Sequence, residues 1–240
     1  MTTEPHHSAP APYWSWAGLT EGAWRSTALL PGTIVFSMAF GTIAAQKGLT
    51  LTEAVLMNAV VFAGSSQLVA MEVWTSPLTL GSLLSLATIT AIVNARFILM
   101  GASLRPWFGG LPPWQAYMVL LQNVDANWIV ASRYRGEGGS DVSIYLGSGI
   151  ILWIVWVTAV IPGYLLGAVI KDPSRFGFDM MLPIFFSAML IPMWRGVKRG
   201  IGWGIAGAVA LAAWYLIPGY WFIVIGAVVG SVAGGFIDDE

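Results

Sequence analysis

Apolar residues run along this chain in blocks near twenty residues long, parted by short polar or Pro- and Gly-rich breaks and without two-residue alternation. A helix needs about 20 apolar residues to cross a bilayer. In lipid only helices and closed barrels satisfy their own backbone. The blocks fall at about 26–46, 52–73, 80–104, 114–132, 144–170, 180–194, 201–217 and 220–237. They predict an all-α, polytopic transmembrane bundle of seven or eight spans: eight if every block crosses, seven if the interrupted second block dips in and returns. Residues 1–23 read as a polar, interfacial tail carrying Trp14 and Trp16, with Trp24 just beyond it, and residues 24–240 as one membrane domain.

Several features mark where the blocks end. Arg105-Pro106-Trp107 closes the third, because proline stops a helix. Arg133, Arg135 and the loop Gly136 to Asp141 close the fourth, and Lys171 to Asp179 is a charged loop after the fifth. Pro162-Gly163 falls late in the fifth block, and Pro183 and Pro192 interrupt the short sixth. Pro31-Gly32 and Pro162-Gly163 each precede a broken block, a faint echo of the repeats found in transporters. Pro218-Gly219 is short enough to demand an antiparallel helical hairpin. Small residues recur at four-residue spacing at Gly163 and Gly167, at Gly200 and Gly204, and at Gly226, Gly230 and Gly234. Such spacing brings helices close, either within the chain or against a partner subunit.

Composition agrees with a membrane protein. Of the residues, 57% are apolar and 10% charged, with mean hydropathy +0.73, whereas soluble domains carry about 25% charged residues. A net charge of −1 argues against a nucleic-acid partner. Cysteine is absent, so disulfides and thiolate chemistry are excluded, and His6 and His7, the two histidines, read as part of a leader. No metal or cofactor is expected. The tail lacks the charged and short apolar regions of a cleavable signal peptide. With eight spans, Arg25, Arg133, Arg135, Arg195, Lys198 and Arg199 gather on the N-terminal side, against Lys47, Arg105, Lys171 and Arg175, which favours a cytoplasmic N-terminus.

Arg96 and Asp125 stand out because each lies inside an apolar block. A charge at bilayer depth costs about 2.5–3.5 kcal/mol on insertion scales, so it persists only when paired, hydrated or used. Arg96 has three readings: it snorkels to the interface, pairs with Asp125, or holds a substrate carboxylate in its guanidinium fork. Thr90 and Asn94 share a helical face, with Arg96 about 200° from Asn94. In the second block, Phe62-Ala63-Gly64-Ser65-Ser66-Gln67 places hydroxyls and an amide where a helix is apt to unwind. An unwound segment frees carbonyls and amides for a substrate; the plainer alternative is that Ser65 and Ser66 bond back to their own helix.

Gln122, Asn123, Asp125, Asn127 and Trp128 make the fourth block the most polar midsection of the chain. Read as a helix, Gln122 and Asp125 share one face and Asn123 and Asn127 another. An arc that wide must face protein or water. Asp125 is also the candidate to carry a coupling proton, depending on whether burial or a nearby Arg96 dominates its surroundings. Glu53 and Asp179 flank blocks, and Glu72 is either an end anchor or a second site carboxylate.

The stretch from Leu30 to Trp107 resembles the large subunit of branched-chain amino acid exporters, the azaleucine-resistance (AzlC-like) family. The resemblance rests on Pro31-Gly32, Ala39-Phe40-Gly41, Phe62 to Gln67, Asn94-Ala95-Arg96 and Gly101-Ala102-Ser103-Leu104, in that order and spacing. It implies export of branched-chain or similar apolar amino acids across the bacterial cytoplasmic (inner) membrane, beside a small four-helix AzlD-like subunit. The substrate-site candidates are then Gly64, Ser65, Ser66, Gln67, Asn94, Arg96, Gln122 and Asp125. Two positions depart from the family pattern: Phe97 stands where many relatives have His, and Ala126 follows Asp125 where many have a second acidic residue. An exporter or channel-like permease for another small molecule is the alternative. Intramembrane enzymes are disfavoured, since the chain has neither a G-x-S-x-G nucleophile with a membrane His nor an H-E-x-x-H motif.

Overall fold

The computed structural model describes residues 13–75, 77–169, 196–217 and 221–238, with Met180, Ser187 and Trp194 as single positions between them. The expected sixth span with Pro183 and Pro192, the loop Lys171 to Asp179, the Pro218-Gly219 turn and the His6-His7 leader lie outside the described residues. The described chain is all-helical, with one isolated bridge between Tyr13 and Asp141. The chain divides into two units, residues 1–181 and 182–240.

In the first unit, α1 (Trp16–Arg25), a 3-10 turn at Thr27–Leu29 and α2 (Leu30–Gln46) form one 31-residue apolar path. Helix α1 begins inside the segment read as a tail. Glu21 and Arg25 interrupt the apolar count there, but Arg25 pairs with Glu21 and Glu137, each at 2.8 Å. The Ser15 hydroxyl caps α1 by accepting the Gly18 N–H at 2.8 Å, and also donates to the Asp141 carboxylate. The remaining elements of the unit are α3 (Leu51–Val61), α4 (Gly64–Glu72), α5 (Leu80–Asn94), α6 (Arg96–Phe108), α7 (Pro113–Leu120), α8 (Asp125–Gly136) and α9 (Ser143–Val169). Helix α3 starts on a capping box between Thr50 and Glu53.

The α1–α2 path lies parallel to α9, since Gly22 meets Ile144, Ser26 meets Ser148, Ser37 meets Trp156 and Thr42 meets Gly163. Glycine makes this approach possible: a Cβ on Gly163 would fall 2.2 Å from the Met38 backbone oxygen, and one on Gly41 2.4 Å from that of Val160. Hydroxyls then bond across the seam. Ser26 donates to Ser148 at 2.7 Å, Ser37 to the Trp156 carbonyl at 2.6 Å and Thr42 to the Gly163 carbonyl at 2.9 Å. Interhelical bonds of this kind contribute about 0.6 kcal/mol each in a membrane. Pro162 lies inside α9 without ending it.

Among the described residues, three helical stretches are long and apolar enough to cross a membrane: Trp16–Gln46, Leu80–Phe108 and Ser143–Val169. The seven or eight spans read from the sequence are thus not matched by as many long helices. The second and fourth blocks divide at 62–63 and 121–124 into pieces shorter than a crossing, and α6 passes through Pro106 to end at Phe108. Parallel helices that both cross require an odd number of crossings between them. A return of the second block alone is incompatible with that parity.

In the second unit, α10 (Val197–Leu216) and α11 (Trp221–Asp238) pack antiparallel. Gly202, Ala206 and Ala210 face Gly234, Gly230 and Gly226 in turn, and a Cβ on Gly230 would lie 2.3 Å from that of Ala206. The close face of α10 is therefore the Gly202 register rather than Gly200 and Gly204. A Cβ on Gly204 meets nothing within 4 Å.

Gly163→Val should separate α2 from α9 and destabilise the protein by about 2–3 kcal/mol, as overpacking does. Gly204→Ala should be neutral or slightly stabilising, within about 1 kcal/mol. Thermal unfolding of the two variants in detergent, followed by monomer recovery on gel filtration, checks both.

Candidate functional site

Three breaks in the helices build the site. At the first, Phe62 takes the left-handed conformation (φ 43°, ψ 43°) between α3 and α4. A bulky residue held there costs on the order of 1–3 kcal/mol, so its surroundings must hold it. Gln67 does so with both ends of its amide. Its Oε1 accepts the Ala63 N–H at 3.3 Å, and its Nε2 donates to Asn58 Oδ1 at 2.9 Å. Asn58, fully buried on α3, donates in turn to Ser37 Oγ at 3.1 Å and to the Trp156 carbonyl at 3.0 Å. The break is thereby tied to α2 and to the midpoint of α9. Ser66 bonds back to the Ala63 carbonyl at 2.9 Å, and Gly64 lies beneath the Trp156 and Phe36 rings, where a Cβ would come within 2.6 and 2.8 Å of them.

The second break is a kink. The Ala95 N–H bonds to the Ile92 carbonyl at 3.3 Å, a tightened turn, and α6 starts at Arg96 near the middle of the Leu80–Phe108 stretch. At the third break the ladder tightens at Gln122 and Asn123, whose N–H groups bond carbonyls three residues back, and stops at Val124. Val124 is extended (φ −130°, ψ 161°), and Asp125 is the first residue of α8. Residues 122–127 therefore do not form one continuous helix, and the expected helical face shared by Gln122 and Asp125 does not exist. Asn, Asp and Gln close together compete with the helix for backbone hydrogen bonds, which opens the chain at this point.

The breaks converge on a charge pair. Arg96 Nη2 lies 2.9 Å from Asp125 Oδ2 and also donates to Ser65 Oγ in the first turn of α4. The Arg96 guanidinium stands 5.2 Å from the Phe97 ring centroid. The two side chains retain 27% and 17% of their exposure, so the pair is partly accessible. Among the described residues, buried side-chain atoms without a hydrogen-bond partner include Arg96 Nε in the pair itself and, nearby in sequence, Asn94 Oδ1, Gln122 Oε1 and Asn127 Oδ1. Asn127 Nδ2 donates to the Gln122 carbonyl at 3.1 Å, which fixes its amide and leaves Oδ1 as an acceptor. A buried donor left open on the ion pair, with open acceptors a few residues away along the chain, suits a ligand that carries both charges.

Of the residues singled out in the sequence, Ser65 and Asp125 both bond to Arg96. Gly64, Ser66 and Gln67 shape the first break, while Asn94 and Gln122 contribute unpartnered oxygens. Glu72 ends α4 and is exposed, the end-anchor alternative. The structure adds Asn58, Asn123 and Tyr145, none of them among the substrate-site candidates. An Asn amid the apolar run Leu51–Val61 is a visible signal for the first. The roles of the other two emerge only from tertiary contacts.

The family model for AzlC protein matches residues 28–170, more than half of the chain and the whole of the site. No curated protein and no solved structure matches the chain.

Arg96→Ala leaves the Asp125 carboxylate without its counter-charge, and should lower stability by about 2–4 kcal/mol, somewhat below the full cost of breaking a buried pair. The double substitution Arg96→Leu with Asp125→Leu should recover most of that loss. Thermal melting of both in detergent or nanodiscs checks it.

Proposed function

The chain belongs to the AzlC family of membrane transport proteins, and from that premise we propose that it exports branched-chain or similar apolar amino acids. In this reading it is the large subunit in a bacterial cytoplasmic membrane, working beside a small four-helix AzlD-like partner. The observation that carries the reading is the Arg96–Asp125 pair at 2.9 Å, joined to Ser65 where three helix breaks meet inside apolar sequence.

An amino acid is a zwitterion, and an Arg–Asp pair is its mirror image. Arg96 turns from Asp125 to the substrate carboxylate, for which its unpartnered Nε is an additional donor. Asp125 and the amide oxygens of Asn94 and Gln122 receive the ammonium group. Protein pair and substrate pair are each neutral, so the exchange leaves no uncompensated charge in lipid at any step. The broken helices then reorient about the site to open it to the other side. Discrimination among aliphatic side chains is modest, since one methylene is worth about 1–3 kcal/mol in an apolar pocket.

The test is efflux from cells loaded with a leucine- or valine-containing dipeptide, the chain being co-expressed with a small neighbouring subunit and matched for membrane abundance. Arg96→Ala and Asp125→Asn should each reduce efflux about tenfold or more, the loss expected for a charge-assisted hydrogen bond. Efflux equal to empty vector for the wild type would remove the amino-acid reading. If Asp125→Asn keeps efflux but loses its response to an imposed pH gradient, Asp125 is a proton carrier instead.

A further inference from the structure

We propose that Asn123 and Tyr145 are positioning residues that set the spacing of the Arg96–Asp125 pair. Asn123 lies at the third break, two residues before Asp125. Its Nδ2 donates to the carbonyl of Phe97, the residue after Arg96, at 3.2 Å. Its Oδ1 accepts the Tyr145 hydroxyl at 3.1 Å. Tyr145 is fully buried on α9, its ring edge-on to Phe108 at 5.1 Å and 84°. One side chain thus joins the backbone beside Arg96, the backbone before Asp125 and the long helix that carries the scaffold.

The orientation of Asn123 is determined by these bonds. A rotated amide would set its oxygen against the Phe97 carbonyl and its N–H₂ against the tyrosine oxygen, losing the bond to Phe97. Leu121, Gln122 and Asn123 are tied back to α7 by their own N–H groups, and the helical ladder stops at the extended Val124, just before Asp125. The kink at Ala95 has its own tightened 3.3 Å turn. The Tyr145–Asn123–Phe97 chain is the cross-tie that keeps the backbones bearing the two charges at a fixed separation. Neither residue bonds the charged groups, so each acts on substrate through geometry. The consequence for transport rests on the proposed exporter reading; the consequence for the shape of the site does not.

The test uses two readouts. The chain has no cysteine, so Ala126→Cys, half-buried beside Asp125, supplies a single thiol for a membrane-impermeant thiosulfonate. Tyr145→Phe and Asn123→Ala are compared with Tyr134→Phe. Tyr134 packs on the same aromatic core, but its hydroxyl serves the Asp141 N–H at 3.1 Å. Losing one buried hydrogen bond corresponds to about a fivefold effect. Tyr145→Phe and Asn123→Ala should raise the KM for leucine efflux by about that factor, leave the maximal rate within about twofold, and change the labelling rate of the introduced thiol severalfold. Tyr134→Phe should leave both readouts unmoved. Labelling rates unchanged by Tyr145→Phe and Asn123→Ala, or shifted equally by Tyr134→Phe, would overturn the proposal. Changed labelling without leucine efflux by the parent chain would overturn the exporter reading and leave the cross-tie standing.

Discussion

A guanidinium on a helical stretch apolar enough to cross a membrane, with a carboxylate 2.9 Å from it, imposes a condition on everything around the pair. Lipid supplies no water to screen either charge, so the two must meet, and the backbones that carry them must be brought together and held. The kink at Ala95 and the break before Asp125 serve that condition. The break at Phe62 brings Ser65 to the same guanidinium. Each break opens backbone groups that the interior must satisfy. At the first, the Gln67 amide oxygen takes the Ala63 N–H, and Asn58 ties Gln67 to α9.

The scaffold behind these breaks is dense where the site is open. Glycines at 22, 41, 147, 163 and 167 let the α1–α2 path and α9 touch backbone to backbone, and serine and threonine hydroxyls bond across the seam. Close packing and interhelical hydrogen bonds are what hold helices together once both are in lipid. Trp156 links scaffold to site. Its carbonyl receives Ser37 and Asn58, while its ring covers Gly64 at the first break. A rigid parallel pair carrying broken helices that meet at one charged point is an arrangement suited to the proposed exporter role, in which the site stays in place while access to it changes.

Much of this was legible in the residues. Runs of apolar sequence without alternation meant helices, and the lone arginine and lone aspartate inside such runs do meet as an ion pair. The glycine flanked by serine suggested an interruption at Gly64 to Gln67, whereas those residues begin α4 and the chain breaks just before them, at Phe62-Ala63. What the residues concealed followed from charge and proline counting. Glu21 and Arg25 hid the start of α1, although they pair with each other one turn apart; the second partner of Arg25, Glu137, lies 112 positions away. Pro106 looked like a stop, yet α6 runs two residues beyond it, where the helix is ending in any case. The fourth block read as one polar helix face, whereas its helical ladder stops at Val124. Tyr145 carried no signal, since a tyrosine in an apolar run is ordinary until its hydroxyl is seen to reach Asn123.

The most direct test of the account is whether Arg96 itself feels the substrate. In nanodiscs containing the chain with ¹⁵N-labelled arginine, the Nε–H resonance of Arg96, assigned by its loss in Arg96→Lys, is followed as leucine is added. A saturable shift of that resonance is expected, as the guanidinium leaves Asp125 for the ligand carboxylate. Saturable shifts at other arginines with Arg96 unmoved would show that leucine binds elsewhere, and would contradict the placement of the site at the ion pair.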